Sequence, residues 1–380
     1  MSMSLKRSAL GAFLSLVAVY YPPGAQCREF MIPVEVSSEV VQFNFPQWGN
    51  DFELVDFLAI ATTRQTPETP SPIGDSAVQT NTFRIAASFC SPREPTEKSK
   101  TVIVATHGIG QARSHWNSPL VPDEYNFVQF AISQGYSVFF YDRLGQGFSE
   151  RISGFVNQIN IQVEILKELT RIVKTGAVTE AIGVPEKVAL MGYSFGSYIT
   201  HAAISTVPDL ADAVVLTAVG FNPEGLNING LVRSFVPRIA NMQSSKFSSW
   251  DTGYLTWVDK FTQMNTYFKL PFFDEATANF VEQEKQPFAW TEFFTINMGN
   301  GGDFDASAFT GAALAITGQN DYIVCDGDCV GIFEEPASTL YQNAQPFVPY
   351  LHPNASHNFN FHYNATGAYA VITKFLDDNI

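Results

Sequence analysis

Basic residues are scarce in this chain, with 22 Lys and Arg against 37 Asp and Glu and a formal charge of −15. That balance argues against a nucleic-acid surface and gives no reason for attraction to anionic lipid. Membrane-spanning apolar runs are missing as well: the stretch Ala9 to Tyr20 is too short to cross a bilayer, so no stable membrane span is expected. Cysteine is limited to Cys27, Cys90, Cys325 and Cys329, and no histidine stands at ligand spacing from the Cys325 pair, which disfavours zinc. Gly145 and Gly147 have no third glycine to complete a dinucleotide pattern, and no Lys-Ser/Thr pair follows them. No motif asks for a metal, nucleotide or prosthetic group, so no cofactor is expected.

What the chain does have is length and apolar mass. Its 380 residues, 46% hydrophobic and 14% aromatic, suffice for one large core with an insertion. Lys6 and Arg7, the apolar run and then Pro22-Pro23-Gly24-Ala25 have the order of a secretory signal peptide, expected over residues 1–26 with cleavage near Ala25 or Gln26. An even number of cysteines beyond that cut suits two disulfides in a secreted protein. Cys325 and Cys329 are close enough to pair, leaving Cys27 with Cys90. Asn354-Ala355-Ser356 and Asn364-Ala365-Thr366 are glycosylation sequons.

Residues 27–65 read as an amino-terminal extension of short extended runs and turns, at Val34 to Val36 and Val40 to Phe45. The proline-rich Thr66 to Pro72 reads as a loop. Thr82 to Ser88 suits a strand. From Thr101 the pattern changes: Thr101 to Thr106, Ser137 to Tyr141, Val188 to Met191, Ala213 to Val219, Ala312 to Thr317 and Pro346 to Leu351 predict buried strands. Helices are expected at Phe127 to Gln134, Asn157 to Lys174, Ser197 to Ser205 and Ala368 to Leu376, an α/β alternation with a mostly parallel sheet. Between 225 and 305 the rhythm breaks into an aromatic-rich stretch without a clear strand. It reads as a helical cap, inserted between core segments 27–224 and 306–380, whose aromatics pack internally and give a pocket an apolar wall.

The organising stretch is Val188 to Gly196, where Ser194 stands between Gly192 and Gly196 in a strand-to-helix turn. Such a turn projects the hydroxyl above the sheet edge and leaves the Phe195 amide free to face an oxyanion. After Thr106, His107-Gly108-Ile109-Gly110 offers a second such amide at Ile109, with His107 bracing the turn. Asp142 and Arg143 are expected to pair and to hold the glycine loop behind them. Asp321 follows the strand at Ala312 to Thr317, and His357 follows the last strand. A hydroxyl, a base and a carboxylate are what acyl transfer requires. His362 rivals His357 as the base, and Asp326 and Asp328 are weaker rivals to Asp321.

In order and spacing the run from Thr101 to Ile380 resembles the α/β-hydrolase fold family: His107-Gly108-Ile109-Gly110, Asp142 to Gly147, Gly192-Tyr193-Ser194-Phe195-Gly196, Asp321, His357. The Ser356 to His362 ending and the Cys325 loop are similar to a group of secreted fungal hydrolases. One departure is Ser356, where a glycine commonly precedes the histidine. The resemblance implies Ser194 as nucleophile, His357 as base, Asp321 as acid and the Ile109 and Phe195 amides as oxyanion hole. The implied activity is that of a secreted serine hydrolase cleaving carboxylic esters of apolar, small to medium substrates. Lactonase or peptidase chemistry on the same residues, and a non-catalytic protein for hydrophobic ligands, are the alternatives.

Overall fold

The computed structural model describes residues 20–63, 66, 72–296 and 304–380, without the side chains of residues 228 and 229. Most of the stretch expected as a signal peptide, up to residue 19, most of the proline-rich loop and Gly302-Asp303 lie outside these residues.

In chain order the strands are β1 (Ala25–Phe43), β2 (Ile73–Pro92), β3 (Thr101–Thr106), β4 (Ser137–Tyr141), β5 (Lys187–Tyr193), β6 (Ala213–Thr217), β7 (Arg238–Ile239), β8 (Tyr254–Thr256), β9 (Phe288–Ala289), β10 (Ala312–Gly318) and β11 (Phe347–His352). The α-helices are α1 (Asp51–Ala61), α2 (Pro122–Tyr125), α3 (Phe127–Ser133), α4 (Ile159–Lys174), α5 (Phe195–Thr206), α6 (Ile228–Phe235), α7 (Ala240–Gln243), α8 (Lys260–Tyr267), α9 (Glu275–Glu284), α10 (Trp290–Thr295), α11 (Ala337–Leu340) and α12 (Ala365–Asn379).

Eight strands form one sheet in the order β1-β2-β4-β3-β5-β6-β10-β11. From β4 to β11 neighbouring strands are parallel, while β2 and β1 run antiparallel at one edge. Every residue of β3, β4, β6 and β10 is buried. That is why these strands read as continuous apolar runs rather than alternating ones. α4 and α5 pack on each other, α4 also on β1 and α5 also on β5 and β6; α3 and α12 pair as a second group, touching β2, β4 and β10. β4 lies on one side of β3 and β5 on the other, so the chain reverses direction across the sheet at β3. A crevice for ligands opens above the carboxyl ends of strands at such a switch point.

Two expectations need correction. The amino-terminal extension is one continuous ladder, β1 against β2 from Ala25↔Pro92 to Val41↔Ser76, rather than short runs with turns. Val34, Val36 and Val40 do face inward at period two; the strand is unbroken because its partner, 43 residues further along the chain at Ser37↔Thr80, holds it extended through Ser37 and Ser38. The extension also contains α1, which was not expected. Asn50 caps it, accepting from the amides of Phe52 at 3.0 Å and Glu53 at 3.1 Å, and Glu53 reaches back to the Gly49 amide at 2.6 Å. An Asn followed three residues later by Glu was the local signal for this start. The expected cleavage near Ala25 or Gln26 falls on the first residues of β1.

The second correction concerns the stretch between β6 and β10. It carries helices α6 to α10 but also a three-stranded antiparallel sheet, β7-β8-β9. Strands this short leave no periodicity to read. The aromatic residues pack chiefly on one another: Phe235 contacts Trp257, Tyr267, Phe288 and Phe293 at centroid distances of 5.8 to 6.1 Å. The amino-terminal extension joins them, with Trp48 and Phe57 set edge-on against Trp290. Cys27 is bonded to Cys90 across the β1-β2 ladder, and Cys325 to Cys329. No helix among the described residues is long and apolar enough to cross a membrane.

Candidate active site

β5 ends at Tyr193, and Ser194 takes φ 52° and ψ −120° before α5 begins. A non-glycine residue with positive φ is strained, and the strain is held here by packing on both sides. A Cβ on Gly192 would lie 2.4 Å from Ser197 Cα, and one on Gly196 would lie 2.2 Å from the Thr106 carbonyl oxygen. Only glycine lets the turn press this closely against β3. The Ser194 amide donates to Thr217 O at 2.8 Å, and the Ser197 hydroxyl donates to the same oxygen at 2.7 Å, fastening the turn to β6. Phe195 is the first residue of α5, so its amide has no partner within the helix.

His357 and Asp321 are fully buried, whereas Ser194 is partly open. His357 Nε2 lies 2.8 Å from Ser194 Oγ. Its Nδ1 faces Asp321 at 2.8 Å from Oδ2 and 3.0 Å from Oδ1. The carboxylate is aimed by three further donors: Thr317 Oγ1 at 2.6 Å and the amides of Ile323 at 2.8 Å and Val324 at 3.2 Å. A carboxylate fixed on Nδ1 sets the tautomer that leaves Nε2 free to accept a proton. The loops bearing the two residues are stitched together, with the Gln319 amide on His352 O and the Asn320 amide on Ala355 O, both at 2.9 Å. The disulfide loop closes on the same turn: Cys325 N and Gly327 N donate to Asp321 O, and Cys329 N to Gln319 O.

The rival residues stand elsewhere. His362 accepts from the amides of Lys269 at 3.2 Å and Ser356 at 3.3 Å and donates to Asn358 O at 2.9 Å. Burial lowers its pKa to about 4, so it is a neutral brace of the His357 loop. Asp328 accepts from Val330 N, and Asp326 takes a positive φ within the disulfide loop. The backbone at Ser356 does not enter the left-handed region, so a side chain is accommodated there. Asn354, with φ 58°, and Asn364 are both exposed.

After β3, Gly108 passes so close to the Ser194 turn that a Cβ there would meet Ser194 Cβ at 3.1 Å. The Ile109 amide donates no hydrogen bond among the described residues. His107 donates from Nδ1 to Gly108 O at 2.9 Å and accepts the Arg143 amide on Nε2 at 3.0 Å. Burial, then Arg143, holds its pKa well below the usual value. The expected pairing of Asp142 with Arg143 is not what forms. Asp142 accepts from the amides of Arg113 and Phe148, at 2.8 and 2.9 Å. Arg143 instead pairs with Glu292 of α10 at 2.5 Å. A lone acid within the aromatic run of α10 was the available sign of a buried partner, and it was passed over.

Two tyrosines, Tyr193 and Tyr267, flank the His357 ring at 5.5 Å, and His115 stacks on Tyr193 at 4.2 Å. Burial pushes His115 down to about 3; with Asn360 Nδ2 donating to its Nε2 at 2.7 Å it is neutral. A pocket opens beside these residues, between the loop at Gly110 to Ala112, the Trp257 and Tyr267 side of the inserted segment, and Asn358. Its wall mixes Trp257, Tyr267 and Phe280 with Gln111, Gln263, Glu284 and Lys285, and is less apolar than the composition of the segment suggested. Trp257 lies directly over Gly110, and Gln286 N donates to Gly110 O at 2.9 Å, so the inserted segment rests on the loop that carries Ile109.

No curated protein matches the chain. Solved structures do. An esterase from Thermogutta terrifontis is 17% identical with a TM-score of 0.51, the match covering 78% of this chain and 94% of that one. The hydrolase of 2-hydroxy-6-oxo-6-phenylhexa-2,4-dienoate from Rhodococcus sp. strain RHA1 is 15% identical with a TM-score of 0.51 over 78% of this chain and 95% of that one. Epoxide hydrolase A from Mycobacterium thermoresistibile is 15% identical with a TM-score of 0.52 over 78% and 96%. At these identities the likeness is one of fold. The model of the alpha/beta hydrolase family matches residues 102–370, most of the chain and all the strands that carry the site. With that match joined to the eight-stranded, mostly parallel sheet, the chain belongs to the alpha/beta hydrolase family.

Proposed function

We propose that the protein is a secreted serine hydrolase that cleaves carboxylic esters of apolar, small to medium substrates through an acyl-enzyme. The observation that carries this reading is the unbroken relay Ser194 Oγ–His357 Nε2 and His357 Nδ1–Asp321 Oδ2, each 2.8 Å, at the carboxyl edge of the sheet. Ser194 Oγ attacks the ester carbonyl as its proton passes to His357 Nε2. The charge on the former carbonyl oxygen falls to the amides of Ile109 and Phe195. His357 then gives its proton to the departing alcohol. Water, deprotonated by the same nitrogen, releases the acid. Residues 225–305 serve as a cap over this edge, and residues 1–26 as the signal peptide. Two disulfides are compatible with an extracellular protein.

The test is labelling with a fluorophosphonate probe, beside Ser194→Ala and His357→Ala, followed by p-nitrophenyl esters of increasing chain length. Labelling is expected in the wild type and in neither variant, and the rate of Ser194→Ala should drop by about 10⁴-fold or more. A folded wild type that neither labels nor turns over any ester refutes the hydrolase reading and favours a ligand-binding protein.

A further inference from the structure

Arg143 is wholly buried, and its guanidinium touches three parts of the chain that are distant in sequence. Nη1 donates to Glu292 Oε1 at 2.5 Å, with both side chains fully enclosed. Nη2 donates to the Gly108 carbonyl at 3.2 Å. The guanidinium carbon lies 4.9 Å from the centre of the Phe195 ring. Gly108 C=O and Ile109 N–H belong to one peptide group, and that group is planar. Fixing the direction of the carbonyl therefore fixes the opposite direction of the amide. His107 Nδ1 donates to the same carbonyl at 2.9 Å, and its ring is held by the Arg143 amide. Two donors on one carbonyl, one of them charged, also polarise the peptide and make its N–H a stronger donor.

The ion pair itself is costly to bury. Removing a guanidinium and a carboxylate from water is unfavourable for each ion, and apolar side chains of similar size often serve stability as well. Among the described residues Arg143 Nε and Glu292 Oε2 have no hydrogen-bond partner, so not every polar atom of the pair is matched. Glu292 is further held by Gln162 Nε2 at 3.1 Å, which donates to Leu144 O just after Arg143. Its helix, α10, belongs to the inserted segment, whereas everything Arg143 acts upon belongs to the sheet edge.

We propose that Arg143 is a positioning residue for the oxyanion hole, and that Glu292 is the counter-ion that aims it, so that the seating of the inserted segment sets the direction of the Ile109 amide. The inference rests on the hydrolase reading above and on the Ile109 amide as oxyanion donor.

Arg143→Lys is the first test. It keeps a cation beside Glu292 but lacks the fork that reaches carboxylate and carbonyl together. Its kcat on p-nitrophenyl butyrate is expected to fall by about tenfold to hundredfold, less than the roughly hundredfold to thousandfold lost when an oxyanion donor is removed outright, because the Ile109 amide is displaced and not deleted. KM should stay within about threefold. Inhibition by a trifluoromethyl ketone, whose adduct places an oxyanion in the hole, should weaken by the same factor as kcat. Arg143→Met combined with Glu292→Leu removes both charges without stranding either. It should give the same signature with its melting transition retained; if it does not fold, the lysine variant decides alone. A folded Arg143→Lys protein with wild-type kcat and ketone affinity overturns the proposal, and so does a loss confined to KM. Absence of fluorophosphonate labelling in the wild type defeats the hydrolase reading instead, which separates the two failures.

Discussion

At the carboxyl edge of the sheet Ser194, Asp321 and His357 each stand in a short run of residues after a strand, while between β6 and β10 the short strands β7, β8 and β9 are defined by pairing with one another across the segment. The edge is stiff: Ser194, Asp321 and His357 sit on turns stitched to neighbouring strands by backbone hydrogen bonds, and Gly192, Gly196 and Gly318 allow backbones to approach where no Cβ fits. The inserted segment is held by aromatic rings and by strands of two or three residues. The difference is one of interaction range. Backbone geometry tolerates almost no substitution at a point, whereas an aromatic cluster spreads its energy over many contacts.

The sharpest way to test that comparison is Gly196→Ala. Its Cβ would overlap the Thr106 carbonyl, so soluble protein should be largely lost, or the melting temperature and activity should fall together. Wild-type stability in this variant would mean that the edge is more yielding than its geometry implies. Phe235→Ala, in the centre of the aromatic cluster, should cost about 3 kcal/mol in denaturant unfolding and alter KM more than kcat, because the relay is untouched. A pure kcat defect would show the two regions to be more tightly joined than argued.

The His357 loop offers an effect of defined sign that is confined to acid pH. His362 is held at about 4, below its ordinary 6.5, so the unfolded chain binds a proton more readily than the fold does. The stability it secures is full above pH 6.5 and is lost as pH falls from 6.5 towards 4, by about 3 kcal/mol. His362→Gln should lessen that slope in urea melts, to which the buried His107, His115 and His201 also contribute; an unchanged slope removes His362 as one of its sources. The smallest effect belongs to Cys325→Ser with Cys329→Ser. Closing so short a loop removes little chain entropy, so stability should drop less than when Cys27 and Cys90, 63 residues apart, are replaced. Activity should decline modestly through the Asp321 turn.

The strands from β3 to β6 and β10 were legible because burial on both faces imposes uninterrupted apolar runs, and the helices α3, α4, α5 and α12 were legible beside them, with periodicity marking the amphipathic α4. β11 was expected as a buried strand and is instead a half-buried edge strand, because β10 alone pairs with it. The β1-β2 ladder was read as fragments, since an extended chain needs a partner to define its length. The small sheet β7-β8-β9 was missed for the same reason in a more extreme form. α1 was missed although Asn50 and Glu53 announced it. At the site, Ser194, Asp321 and His357 could be chosen from their positions after strands, but the pairing of Arg143 could not. Its acceptor, Glu292, is far along the chain and carries no motif.

The sequence by itself determined the parallel strands of the sheet, the order of the strand-end motifs and the chemistry those residue types can perform, because each is written in a few neighbouring residues. Tertiary structure alone decided which acid holds Arg143, how His362 braces the loop of His357 and how the inserted segment rests on the Ile109 loop. Those choices depend on which buried charges and donors meet once the chain is compact, and low dielectric makes an unmatched group too costly to leave there.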